Sequence, residues 1–467
     1  MDKFPQLEKK ELPPPFSWKK AIGVGVVVMG MAVGTGEIIL WPHLVAKHGL
    51  GILWLALLGI SSQYFINKEV ARHTLATGES FFTTSARILK WSAPFWFLSV
   101  IILYIWPGWA SALGTILKEL FGVGTYYLWS LVVLGLVLLI TFVGRVAYNV
   151  LEKTLKIIVP VFILMLVSIS FLNLNGSIIK EALKGLFDFG NIPGGIDINV
   201  LLGAIVFTGA GGMLNLCVSL WYRDKQLGMC AHTGRITNPI SGKSEAVAAT
   251  GHTFEPTPHN LERWKGWMRY VKIDQGIIFW LVGLITLFLL VVNAYAVLSP
   301  HGVVPEGFQL AIVQARIFGE RWGSFGFDLF LVMTFLMLFS VMWTVIDALT
   351  RMVSDILYTN SHTGPFAKYL PEFKKVSLGS FYYIVITLVV ILGAVLIPLK
   401  QPLVFLVLSG VLGGLSMALY TPLLIYMNNT RLPKEIRPSW STNLAMAAIS
   451  LFYIYFAIRI IVSYFSV

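Results

Sequence analysis

The chain has 467 residues, of which 56% are apolar and only 12% charged, against about 25% charged in a soluble domain. With a mean hydropathy of +0.76 it cannot present a water-facing surface all round, which excludes an ordinary soluble domain. The formal net charge of +12 then reads as membrane topology rather than as a nucleic-acid footprint, because basic residues gather on the cytoplasmic side of membrane proteins.

Residues 1–20 form a polar, basic tail with Pro13, Pro14 and Pro15. The tail lacks the short apolar stretch and small-residue cleavage site of a secretory signal, so the first apolar run is expected to remain as a span. A bilayer core of about 30 Å needs about 20 helical residues. Eleven runs meet that need, near 21–46, 50–72, 93–117, 126–146, 155–173, 199–222, 273–299, 325–350, 378–398, 402–427 and 441–464. The second is the least apolar, and its Gln63, Asn67, Lys68, Glu69 and Arg72 are expected at the membrane interface. Residues 223–272 are expected to be a solvated cytoplasmic loop, and its His232, His252 and His259 are spaced too widely for a metal site. Cys217 and Cys230 form no CxxC pair, so neither zinc nor a disulfide framework is indicated.

Basic residues set the orientation. With the N-terminus inside, 26 of the 35 Lys and Arg residues fall in cytoplasmic segments or, as Arg72, Arg145 and Lys156 do, at the cytoplasmic ends of spans, and seven in external loops, with Lys68 and Arg459 deeper inside spans. The chain is expected to be a multi-pass protein of the cell membrane with a cytoplasmic N-terminus.

Two spans are interrupted. The first carries Gly34-Thr35-Gly36-Glu37 and the sixth Thr208-Gly209-Ala210-Gly211-Gly212. Glycine weakens a helix by about 1 kcal/mol relative to alanine and lets a ligand approach the backbone. Unwound backbone at membrane depth is tolerated only against protein or a cavity. Breaks five spans apart are the mark of an inverted repeat, with residues about 21–173 and 199–427 as its halves, the site between them and residues 441–464 as an added helix. A glycine cluster by itself also serves close helix packing, the reading that suits Gly410, Gly413 and Gly414 of the tenth span.

Glu37 follows the first break directly, and an intramembrane carboxylate is a functional hypothesis. It is a candidate cation ligand or proton carrier; the bland alternative is a hydrogen bond to the broken helix end. Asn215 and Cys217 follow the second break as secondary candidates, although such a Cys is ordinarily a small core residue. Asp347, a third secondary candidate, lies four residues before Arg351 and is expected at the cytoplasmic interface.

The stretch Gly23-Val24-Gly25 through Gly34-Thr35-Gly36-Glu37, then Lys47-His48-Gly49 and Leu53-Trp54, resembles the opening of the Nramp divalent-metal transporters. Leu75-Ala76-Thr77-Gly78, Leu151-Glu152-Lys153, Arg269-Tyr270 and Ile273-Asp274 add short matches in the family's order, so the likeness runs over residues 20–430. It implies an all-α, leucine-transporter-like fold with spans one and six unwound around the substrate. The family's metal ligands do not carry over. Its Asp-Pro-Gly-Asn falls on Gly34, Thr35, Gly36 and Glu37, and its Met-Pro-His break falls within Thr208–Gly211, where no Met or His stands. A thioether selects softer metals; one carboxylate with backbone carbonyls suits a hard cation, Na⁺ or H⁺.

The first expectation is therefore a secondary transporter of a divalent cation such as Mg²⁺ or Mn²⁺, coupled to H⁺ or Na⁺. Its site comprises Glu37 with the backbone of Gly34, Thr35, Gly36, Thr208, Gly209, Ala210 and Gly211. The alternatives are an ion-coupled symporter of a small organic solute, such as an amino acid, and a non-transporting membrane receptor of the same fold. No nucleophile elbow, metal-ligand helix motif or nucleotide loop suggests an enzyme. The expected partners are the bilayer and a small transported species, with no nucleic acid.

Overall fold

The computed structural model describes residues 4–17, 22–34, 36–240, 245–302, 304, 309–399 and 402–465. Thr35 lies outside them. Among the described residues ten helical runs are long and apolar enough to cross a membrane. Span six, cut into two shorter helices, supplies the eleventh. Span one comprises α1 (Val24–Ala32), a π-helical turn (Gly36–Leu40) and α2 (Trp41–His48); span two is α3 (Leu53–Thr77), followed by the short α4 (Phe81–Ile88). Span three is α5 (Ser92–Tyr104) with α6 (Gly108–Phe121), span four α7 (Tyr126–Val143) and span five α8 (Ala147–Asn173). After the short α9 (Gly176–Gly185), span six is α10 (Ile198–Val206) and α11 (Leu214–Asp224).

Span seven runs from α12 (Pro258–Ile273) through a π-helical segment (Asp274–Leu281) into α13 (Val282–Leu298). The long α14 (Gln309–His362) bends at Trp322 and Gly323, where Gly323 takes φ 66°; the part after the bend is span eight. Spans nine to eleven are α15 (Leu378–Leu396), α16 (Pro402–Thr430) and α17 (Trp440–Phe465).

Burial sorts these helices. Every described residue of α1 and α11 is buried. Leu139, Val143, Leu164, Phe171, Val395 and Leu451, on spans four, five, nine and eleven, are 63–84% exposed. An apolar surface of that extent faces lipid. The broken spans therefore lie at the centre, and spans four, five, nine and eleven form the wall. The added span eleven packs on spans ten and two.

Two sequence expectations are corrected here. Gln63, Asn67, Lys68, Glu69 and Arg72 are buried in the protein rather than at the interface. Gln63 reaches span six, Lys68 reaches Thr442, Glu69 Oε2 accepts from Asn428 and Arg72 reaches the Ile436 carbonyl, while Asn67 and Glu69 Oε1 have no hydrogen-bond partner. The 223–272 stretch is not one solvated loop either. Its last third is α12, Leu227, Met229, Cys230 and Ile236 are buried, and the N-terminal tail lies against it. Strand β1 (Glu8–Lys9) pairs in parallel with β2 (His252–Thr253), while Trp267 donates to the Pro13 carbonyl at 2.8 Å.

Candidate functional site

The two breaks are built differently. In span one the helix stops at Ala32, and Gly34 N donates to Glu37 Oε2 at 2.8 Å. The carboxylate thus satisfies a backbone group that the break orphans, which is what the structural reading of Glu37 requires. In span six, Gly211 and Gly212 take φ 76° and 54°, a region that side chains other than glycine's enter only at a cost. Three side chains from other spans hold this opened backbone. Gln63 donates to the Val206 carbonyl and accepts from Gly211 N, both at 2.8 Å. The Tyr104 hydroxyl accepts from Met213 N at 3.0 Å and donates to the Gly211 carbonyl at 3.3 Å. The Tyr420 hydroxyl donates to the Gly212 carbonyl at 2.9 Å. The sequence placed Gln63 at the interface and gave no sign of Tyr104 or Tyr420, because a tyrosine in a span carries no signal of what its hydroxyl meets.

The breaks face each other. A Cβ on Gly36 would collide with the Phe207 carbonyl, so the chain of span one runs directly against that of span six. Beside this contact lies a small cavity with room for about one water-sized occupant, walled by Met31, Ala32 and Gly36 of span one, Trp109 of span three, Phe207, Gly209, Ala210 and Leu214 of span six, and Val341 and Val345 of span eight. Of the expected site residues Gly36, Gly209 and Ala210 line it, and Gly34, Thr208 and Gly211 do not. Thr208 turns its hydroxyl onto the Ile205 carbonyl at 2.7 Å. No charged side chain lines the chamber among the described residues. Its polarity comes from backbone freed by the breaks.

Glu37 lines a different small cavity, together with Asn293, Gln314 and Thr334. The π-helical turn carries Gly36 toward one chamber and Glu37 toward the other.

The secondary candidates belong to the protein's interior. Asn215 donates to Tyr420 at 3.3 Å and so supports the span-six break at one remove. Cys217 is fully buried on α11, with its sulfur 3.9 Å from the Ala348 carbonyl, a packing role. Asp347 is not interfacial, contrary to expectation. It is 1% exposed and accepts from Arg351 Nε at 2.6 Å, Trp221 Nε1 at 2.9 Å and the Tyr382 hydroxyl at 2.5 Å. Arg351 also pairs with Asp224, and the neighbouring Arg223 with Asp355. These ion pairs tie span eight to span six below the chamber. No group of three or more His, Cys, Asp or Glu that could hold a metal exists among the described residues.

The start of α1 is anchored as well. Asp274, which opens the π-helical segment of span seven, accepts from Gly25 N at 2.8 Å, Gly23 N at 3.3 Å and the Tyr222 hydroxyl at 3.0 Å. A carboxylate at a helix N-terminus satisfies free N–H groups and the helix dipole together.

No protein-family model matches this chain, and no curated protein matches it in sequence. Solved structures match it in fold. The manganese transporter of Eremococcus coleocola, in complex with an aromatic bis-isothiourea substituted compound, superposes with a TM-score of 0.63 at 13% identity, over 98% of this chain and 91% of that one. MhsT in complex with L-phenylalanine gives 0.56 at 15% identity, over 97% and 99%. Mhp1, a nucleobase-cation-symport-1 family transporter closed on bromovinylhydantoin, gives 0.53 at 13% identity, over 96% and 94%. The chain has the leucine-transporter-like fold of two five-span repeats, with the first span of each unwound at the centre.

Proposed function

We propose that this protein is a secondary transporter that carries a small organic solute across the membrane by alternating access. One observation carries the reading: two buried spans, equivalent in the two repeats, lose their winding at the same place and enclose a chamber between them. Breaks of this kind are where transporters of repeated architecture hold their cargo. The chamber selects for an apolar body, since Trp109, Phe207, Leu214, Val341 and Val345 surround it. A polar end group is served by backbone at the breaks, with the N-terminal end of α11 suited to an anionic group.

A second reading, a divalent-metal carrier of the Nramp group, is favoured by the segment likeness, by the manganese transporter's fold and by the Met31 thioether in the chamber wall. A thioether suits a softer metal. Against it, a dication in an uncharged chamber loses its hydration without a compensating charge, and Glu37 faces the other cavity.

Flux into proteoliposomes decides between the two. Uptake of an amino acid or similar solute, lost on Ala210→Trp because the indole fills the chamber, supports the first reading. Divalent-cation uptake abolished by Glu37→Gln and unaffected by organic solutes would overturn it in favour of the second. We also propose that the N-terminus is cytoplasmic, on the basic-residue asymmetry.

A further inference from the structure

We propose that the second cavity, between the span-one turn, span seven and the two arms of α14, is a binding site for a monovalent cation of the Na⁺ type. Its role as the coupling ion rests on the transport reading above. Four oxygen-bearing side chains line it, Glu37 of the π-helical turn, Asn293 of α13, Gln314 of the first arm of α14 and Thr334 of the second, set among apolar side chains that include Leu166 and Ile169 of span five. All four are at most 3% exposed. The cavity has room for about one water-sized occupant.

The donor set fits such an ion. Carboxylate, amide and hydroxyl oxygens are hard ligands. Asn293 commits its Nδ2 to the Ser170 hydroxyl and the Leu289 carbonyl, both at 2.7 Å, and Gln314 commits its Nε2 to the Leu310 carbonyl at 3.3 Å. The Asn293 oxygen accepts from Asn173 Nδ2 at 3.1 Å and keeps one lone pair, and the Gln314 oxygen is the acceptor end of its amide. A single carboxylate balances one positive charge; a dication would leave a net charge buried, which is costly.

Thr334 points independently to an occupant. A threonine inside a helix ordinarily turns its hydroxyl onto the carbonyl four residues back, as Thr286 and Thr344 do here at 2.8 and 2.6 Å. Thr334 is 0% exposed and its hydroxyl, like those of Thr74 and Thr350, has no hydrogen-bond partner; of the three it is the one that lines the cavity. A buried hydroxyl left so loses about 1–3 kcal/mol, a penalty that a cation in the cavity removes.

The position explains coupling. Glu37 is bonded in sequence to Gly36, which lines the solute chamber. An ion drawing Glu37 toward Gln314 and Thr334 fixes the turn that forms the chamber wall. Solute and ion thus meet opposite sides of one backbone turn.

The test uses the full-length protein in nanodiscs. ²²Na⁺ binding and the thermal unfolding midpoint are measured against NaCl, with choline chloride holding ionic strength. A ligand that binds only the folded state raises the midpoint with concentration. Na⁺ is expected to do so saturably. Thr334→Val is expected to weaken its apparent affinity about tenfold, the loss of one charge-assisted contact. Glu37→Gln is expected to abolish the response while its amide oxygen keeps the bond from Gly34 N. Should that variant not fold, Thr334→Val and Gln314→Leu decide. Equal responses to Na⁺ and choline, an unchanged Na⁺ response in the variants, or a response to pH alone would overturn the proposal. Solute flux that persists without Na⁺ binding sinks only this site; Na⁺ binding without any flux sinks only the transport reading.

Discussion

Buried ionic side chains set the stability of the molecule at the level of single residues. Arg351 is 0% exposed and joins Asp347 to Asp224. Its removal strands two carboxylates in the interior, and breaking such a pair costs about 3–5 kcal/mol. Arg351→Met is therefore expected to lower the unfolding midpoint sharply and to reduce the folded fraction recovered from membranes. Arg351→Lys is expected to fall between that variant and the parent, because an ammonium cannot reproduce the fork that reaches both acids. A midpoint unchanged in Arg351→Met would show that the network contributes nothing. Asp347 looked interfacial in the sequence because four residues separate it from an arginine. What reverses the reading is Trp221 from span six and Tyr382 from span nine, neither of which any local pattern links to it.

Among the elements, the contrast between the two breaks matters most. The span-one break is closed locally, by Glu37 on Gly34 N three residues away. The span-six break is closed by other helices. Gln63→Leu leaves the Val206 carbonyl and Gly211 N buried without partners, at about 1–3 kcal/mol each. It is expected to destabilise the protein by that order and to depress flux, both read on purified protein against the parent. Gly211→Ala places a Cβ at φ 76° and 2.9 Å from the Val206 carbonyl, and is expected to cost about 1–2 kcal/mol. A variant as stable as the parent would mean that the break can relax to an ordinary helical turn. Glycines of span ten behave in the opposite way. A Cβ on Gly410 would meet the Gly203 Cα at 2.8 Å, so this glycine lets span ten pack closely on span six and opens nothing. Both roles look alike in sequence; only the neighbour differs.

Across the whole molecule, the N-terminal tail acts as a strap. It pairs with β2, donates through Lys10 N to the Thr253 carbonyl at 2.8 Å, and takes Arg87, beyond span two, onto the Pro5 carbonyl at 2.5 Å. His252 stands in this strap, outside the spans. Burial first, then Lys10 and His232, hold its pKa below the ordinary 6.5. The folded state thus binds this proton less readily than the unfolded chain. The strap is at full strength above pH 6.5 and weakens as pH falls below it. Hydrogen exchange at the β1 amides is expected to quicken on acidification through that range, and His252→Gln to flatten the dependence. An unchanged dependence in the variant would assign the effect to another group. The asymmetry of basic residues predicts the side of the strap: a cysteine placed in the tail should be labelled from the cytoplasm only.

By itself the sequence determined the solvent of this protein, the number of its spans, the two that break and the inverted repeat that breaks five spans apart imply. Those properties depend on composition, on segment length against bilayer thickness and on glycine's backbone freedom, all of them local or additive. Tertiary structure alone decided what each polar side chain does. It turned Glu37 away from the solute chamber, buried Gln63 and Asp347 among partners from distant spans, and left the chamber walls apolar. Such outcomes depend on which helix faces which. A polar group inside a membrane protein takes its role from whatever hydrogen-bond partner the packing brings to it.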